Sequence, residues 1–381
     1  TTVLVGQDWG AQNLVKGRCV ICSTLFMTLI GGSVIAVLGV MMAEPMLKLL
    51  GTDAKVMHLS LPYVQWMLAG SPLLFVYIIY TSILRGVGDS VTPLIALSLT
   101  SLIGLAVTPV LLKGYFGFPA LGIVAPAIAT ILGYAAVLIF LGFYLNYKNH
   151  PLKIDARLLQ SIRHDATLSK LILKLGIPTG IQMVTTSLAG LVIIGLVNHY
   201  GAHATAAYGA VNQVLNYIQF PALSISIAAS IFAAQAIGAG KPDLLAKVTR
   251  TALGMNVIFT GSLITLAYLF SKYLMALFIT DHSVIELGQQ LLFIVLWAVL
   301  FFGASAIFAS IMRASGTVNV PMMINILTII LIEVPCAYWF SSLWGLTGIW
   351  TAYALSFVCL CVLQASYYQF VWKKTKIKVL I

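Results

Sequence analysis

Residues 84–93 read LRGVGDSVTP, and residues 312–321 read MRASGTVNVP. Arg85, Gly88 and Pro93 in the first stretch stand 228 residues before Arg313, Gly316 and Pro321 in the second. The same shift lays GQDWGAQN (6–13) over AQAIGAGKPD (234–243), pairing Gln7, Gly10 and Ala11 with Gln235, Gly238 and Ala239. It also pairs Thr52, Asp53 and Val56 with Thr280, Asp281 and Val284, and Gly117 with Gly345. One gap-free offset held over 110 residues marks an internal duplication. A two-residue slip then aligns Gly122-Ile123 with Gly348-Ile349.

The chain around these motifs is 60% hydrophobic and 8% charged over 381 residues, with a mean hydropathy of +1.02. Soluble domains carry about 25% charged residues, so a soluble fold is excluded. At roughly 20 apolar residues per span, apolar runs bounded by Gly, Pro and charges give a stub at 1–7 and ten full spans. These are 18–43, 58–84, 93–113, 120–147, 172–199, 206–236, 246–271, 285–312, 319–340 and 346–372. The fold class is therefore all-α: a polytopic membrane protein of two pseudo-symmetric six-helix bundles, the first incomplete.

The expected organisation is an N-terminal bundle at 1–147, a cytoplasmic linker at 148–171, and a C-terminal six-helix bundle at 172–381 with a basic tail. The second copy starts near Lys170. Subtracting the offset puts the first copy's start about 55–60 residues before Thr1. One whole helix and most of a second are then expected to precede TTVLVGQ, which reads as the end of an apolar helix. Six spans is an even number, so both copies share one topology, the parallel-repeat plan of some secondary transporters.

The net charge of +11 would suggest nucleic acid in a soluble protein, but here it sets orientation. With the 148–171 segment inside, only Lys48, Lys55, Lys113 and Lys272 lie outside, leaving 17 of 21 basic residues on the cytoplasmic side. Neither a disulfide framework nor a metal site is expected. The five cysteines sit in apolar runs, and the six histidines lie near span ends.

The matched turns are structural devices first. Gly10, Gly88, Gly238 and Gly316 permit close crossings and left-handed helix stops. Asn13 or Asp243 can cap the next helix, Arg85 and Arg313 can bond the last carbonyls of the helix they end, and Pro93 and Pro321 suit a first turn.

These paired GQ-x-x-GA and R-x-x-G…P turns, with AAYGAVNQV (206–214), resemble the multidrug and toxic compound extrusion (MATE) family across essentially all 381 residues. The resemblance implies two bundles around a V-shaped cleft. It implies antiport of amphiphilic, often cationic compounds against inward Na⁺ or H⁺, with no other cofactor. A monomer in the bacterial inner membrane is expected, its partners being small amphiphiles and lipid, not nucleic acid.

Coupling requires an intramembrane group that binds a cation or proton. A carboxylate at a helix centre costs about 2.5–3.5 kcal/mol, so it is rarely incidental. Glu333 is the one acid of ten inside a span. Pro335 cannot donate to the carbonyl of Leu331, freeing an oxygen nearby, and makes Glu333 the ion-coupling candidate. The other reading is a glutamate paired with a neighbouring helix for stability. Its repeat mate is Leu105, so the acid belongs to the second half alone.

Asn212, Asn216 and Gln219 fall at i, i+4 and i+7 of one span, and Gln182 and Thr186 at i, i+4 of the preceding one. Together with Gln213 and Thr108 they are candidates to line a cavity. Such faces either join helices or line a wet cavity, and both remain open for each residue. The chain departs from the family's coupling sites. Thr186 and Phe302 stand where one branch carries acids, and Gly104 and Thr108 precede Pro109 where another carries Asn and Asp.

A flippase for lipid-linked saccharides is the alternative function, but it would want buried Lys or Arg for pyrophosphate. An intramembrane enzyme would need catalytic groups clustered at one depth, and the pseudo-twofold repeat disfavours a channel.

Overall fold

Apolar runs of this length can satisfy their backbone in a bilayer only as helices or closed barrels. The computed structural model describes residues 1–49, 52–117, 119–148, 150, 152, 165–375 and 379–380, and all its regular elements are helical. Lys153, Arg157 and Arg163 of the linker, and Lys376 and Lys378 of the tail, lie outside the described residues. Contacts divide the chain into two units, Thr1–Ile172 and Leu173–Ile381.

The first unit contains α1 (Thr2–Gly10), α2 (Leu14–Leu49), α3 (Ala54–Ala69), α4 (Ser71–Gly86), α5 (Val91–Lys113) and α6 (Ala125–Tyr147). Helix α7 (Ala166–Asn198) begins at its end and leads into the second unit. There follow α8 (Ala202–Gly238), α9 (Leu244–Leu269), α10 (Ser271–Ala276), α11 (His282–Val295), α12 (Val299–Ala314), α13 (Asn319–Thr328), α14 (Val334–Trp344) and α15 (Leu346–Phe370). Among the described residues nine helical stretches are long and apolar enough to cross a membrane, and α3 with α4 supplies a tenth span bent by 45° at Gly70. All ten expected spans are present, and many of their outward side chains are large and apolar, as lipid contact requires.

The duplication is legible in the backbone. Helices end at Gly10 and Gly238, begin at Ala54 and His282, end at Gly86 and Ala314, and begin at Val91 and Asn319, each pair at the 228 offset. The stop after α1 closes with Ala11 N–H on Gln7, Gln12 N–H on Trp9 and Asn13 N–H on Asp8. The stop after α8 repeats all three bonds, Ala239 on Gln235, Gly240 on Ile237 and Lys241 on Ala236. The break at Gly70 recurs as a 3₁₀ turn, Leu296–Ala298, between α11 and α12.

Three turn readings are corrected. The left-handed residues after α1 and α8 are Gln12 (φ 57°) and Gly240 (φ 69°), two beyond Gly10 and Gly238, which are still helical. Asp243 makes no side-chain cap on α9, whereas Asn13 Oδ1 accepts from Lys16 N–H. Arg85 turns back to Ser82 Oγ at 2.9 Å and not to a terminal carbonyl. Gly88 (φ 93°) and Gly316 (φ 85°) are left-handed.

Gln12 is exposed and non-glycine in a conformation that costs an L-residue about 1–2 kcal/mol. Gln12→Gly is therefore expected to stabilise the protein by up to about 1 kcal/mol after glycine's own chain entropy is counted. Gly240→Gln should lose a similar amount. Thermal unfolding in detergent checks both.

Each unit has its own core. Tyr77, Tyr80, Leu84, Val137 and Leu141 form the first, joined to the linker by Tyr80 OH donating to Leu152 O at 2.9 Å. His150 lies 3.8 Å from Asp89, and burial holds its imidazole below the ordinary histidine range despite that carboxylate. In the second core Trp350 is fully buried with its ring 5.3 Å from that of Tyr208. Polar staples cross it: Asn256 Nδ2 donates to Leu300 O, Thr249 meets Tyr368 OH at 2.7 Å, and Gln364 Nε2 donates to Pro321 O. These are the joining role that buried polar groups take between membrane helices.

Candidate functional site

Pro335 breaks the helix that carries Glu333. Its nitrogen has no proton and its ring crowds the carbonyl four residues back. The chain responds with a wide π-turn over Ile329–Glu333, in which Val334 N–H bonds Ile329 O, five residues behind. Such turns mark functional sites more often than ordinary helix does. The extra residue also re-aims side chains. Eight residues of continuous α-helix would set Asn325 and Glu333 about 80° apart around the axis, and one residue absorbed by the π-turn brings them to about 20°.

Both residues line a cavity of about 350 Å³ inside the second unit. Helix α7 contributes Thr186, α8 contributes Tyr208, Asn212, Asn216 and Gln219, α12 contributes Phe302, and α15 contributes Trp350, Tyr353, Ser356 and Phe357. The hydroxyls of Tyr208 and Tyr353 lie 3.1 Å apart. Ser356 Oγ is 3.4 Å from Glu333 Oε2 and 2.9 Å from Tyr353 O. One hydroxyl proton serves one acceptor well, and the carbonyl is the nearer.

Among the described residues no Lys, Arg or His pairs with Glu333. Asn325 Oδ1 and Trp350 Nε1 are buried without a hydrogen-bond partner. An orphaned buried polar atom costs about 1–3 kcal/mol, and here an orphaned acceptor shares a cavity with a carboxyl that has no ion-pair partner among the described residues. A ring of carboxylate, amide and hydroxyl oxygens is chemically suited to a proton or a hard cation. Among the described residues no three His, Cys, Asp or Glu side chains gather as a metal cluster.

Of the candidates read from sequence, Thr186, Asn212, Asn216 and Gln219 line the same cavity as Glu333. Gln182 and Gln213 do not. Gln182 offers its backbone carbonyl to the Thr186 hydroxyl, and Gln213 is rotated about 100° around α8 from its lining neighbour Asn212. Thr108 lies on α5 in the first unit. Sequence reasoning missed Asn325, Tyr353, Ser356 and Tyr208. A π-turn inferred from Pro335 could have found Asn325.

A duplicated helical unit, with a polar cavity inside a bundle that otherwise faces lipid, is the plan of one class of protein, the membrane transporters. Comparison with known sequences gives the family. The MatE signature matches residues 1–110 and 178–339, and the chain belongs to that family. It is similar to the probable multidrug resistance protein YoeA of Bacillus subtilis, 42% identical over 383 residues that cover 100% of this chain and 83% of the relative. It is also similar to the probable multidrug resistance protein YpnP of the same organism, 28% identical over 99% of this chain and 83% of the relative. Its fold matches the crystal structure of a mutant of the Vibrio cholerae MATE transporter VcmN, with TM-score 0.88 and 19% identity over 99% of this chain and 84% of that one.

Proposed function

We propose that this protein is a secondary active exporter in a bacterial inner membrane, moving amphiphilic, cationic compounds outward against inward Na⁺ or H⁺. Glu333 carries the coupling ion. The observation that supports this is the carboxyl of Glu333, without an ion-pair partner among the described residues, sharing a polar cavity with the orphaned Oδ1 of Asn325. A site that is costly when empty gains most when a proton or cation enters it. The multidrug resistance names of the relatives agree with such cargo. Among the described residues no Lys or Arg lines the cavity, which speaks against a pyrophosphate-bearing saccharide lipid.

Reconstitution into proteoliposomes tests the reading. Ethidium movement should be driven by an imposed Na⁺ or pH gradient and collapse when that gradient is dissipated. Dye flux indifferent to both gradients would rule it out.

A further inference from the structure

Away from the polar cavity, the second unit carries a groove of about 510 Å³ between α8 and α9. Its length follows from helical spacing. Ala228, Ala229 and Phe232 lie on one face of α8, and Val248, Ala252 and Met255 on the facing side of α9. The alanines leave the room that larger side chains would fill.

Among the described residues Lys247 is the single charged one in the lining, and it is exposed. It stands three residues into α9, about 4.5 Å from the helix start, whereas Met255 lies about 12 Å further along. The charge bias of the loops puts the start of α9 on the cytoplasmic side. Lys247 therefore sits at headgroup depth, and the apolar trough runs from it toward the bilayer centre. Lys241 and Arg250 flank it, against Asp243 as the one acid between residues 224 and 255.

We infer that this groove binds one anionic phospholipid of the cytoplasmic leaflet, with an acyl chain along the trough and the phosphate against the Lys247 ammonium. The polarity of the groove, cation at the surface and hydrocarbon walls beneath, matches that molecule end for end. A cationic amphiphile of the kind proposed as cargo is repelled by the same lysine, so this is a second site, independent of the ion coupling at Glu333. One basic group at the membrane surface favours an anionic headgroup by about fivefold.

Native mass spectrometry of the detergent-purified protein tests the inference, using phosphatidylglycerol and phosphatidylcholine of matched chains. The wild type should retain phosphatidylglycerol about fivefold more than phosphatidylcholine. Lys247→Gln should erase that preference, and Lys247→Arg should keep it. Ala228→Trp, which fills the trough, should reduce retention of both lipids. Equal retention by the wild type would overturn the inference, as would a preference unchanged in Lys247→Gln or competition for the bound lipid by ethidium.

Discussion

Glu333→Gln should sharply reduce gradient-driven efflux while leaving the protein folded. Glutamine keeps the shape and one acceptor oxygen but can neither ionise nor release a proton. The coupling free energy carried by one site is typically 1–3 kcal/mol, so the loss should be about 5–150-fold in gradient-driven accumulation. Inside-out vesicles loaded by a Na⁺ or pH gradient give the measurement, with dye binding in the absence of a gradient as the control for folding. Glu333→Asp, which keeps the charge one methylene shorter, should retain a fraction of the activity. Full transport by the glutamine variant would remove Glu333 from the mechanism. Asn325→Leu offers a second reading of the same cavity, since it removes the orphaned oxygen without touching the carboxyl.

The second large effect concerns Gly348. Helices α14 and α15 meet in a hairpin whose corner, Gly345, has φ 62°, with Gly345 N–H bonding Ser341 O at 2.9 Å. A β-carbon at Gly348 would collide with the carbonyl group of Phe340 and with Ser341 N, all of them backbone. Backbone cannot swing aside as a flexible side chain does, so Gly348→Ala should cost about 1–3 kcal/mol or more. A thermal midpoint lower by about 2–4 °C per kcal/mol is expected in detergent. Transport should fall with it, because the hairpin sets how Ser356 approaches Glu333. Gly142→Ala is the control. No atom beyond its own helix neighbourhood lies within 4 Å of the added carbon, and alanine is the better helix former. An unchanged midpoint for Gly348→Ala would mean the hairpin can open without penalty.

Much of this architecture could be read from the letters. The spans follow from apolar run lengths, and the duplication from a constant offset whose left-handed stops, Gln12 with Gly240 and Gly88 with Gly316, recur in the backbone. Hydropathy alone did not show where a span bends. The 3₁₀ turn at Leu296–Ala298 lies inside uniformly apolar sequence, and the kink at Gly70 falls on Gly70-Ser71-Pro72, a break signal that reading 58–84 as one apolar run passed over. Glu333 was conspicuous because a lone acid in a span is rare. Its companions were not, since Asn325, Tyr353 and Ser356 stand on different turns and helices and resemble any small polar residue that joins membrane helices. Gln213 was drawn in by its neighbours Asn212 and Asn216, although one residue turns a helical side chain about 100° away. Which polar residues join helices and which face the cavity depends on rotation about each axis, and the π-turn changes that rotation midway along a span.

The 228-residue register holds on both sides of that turn, with Pro93 over Pro321 before it and Gly117 over Gly345 after it. Nothing was inserted to build it. The second half differs from its twin by rewinding one loop of backbone, which spends a residue on width in place of length and swings everything beyond it around the axis. Two halves in one register thereby hold two distinct interiors, and they part at the widened turn ahead of Pro335, whereas the twin helix carries its own Pro109 and stays α-helical throughout.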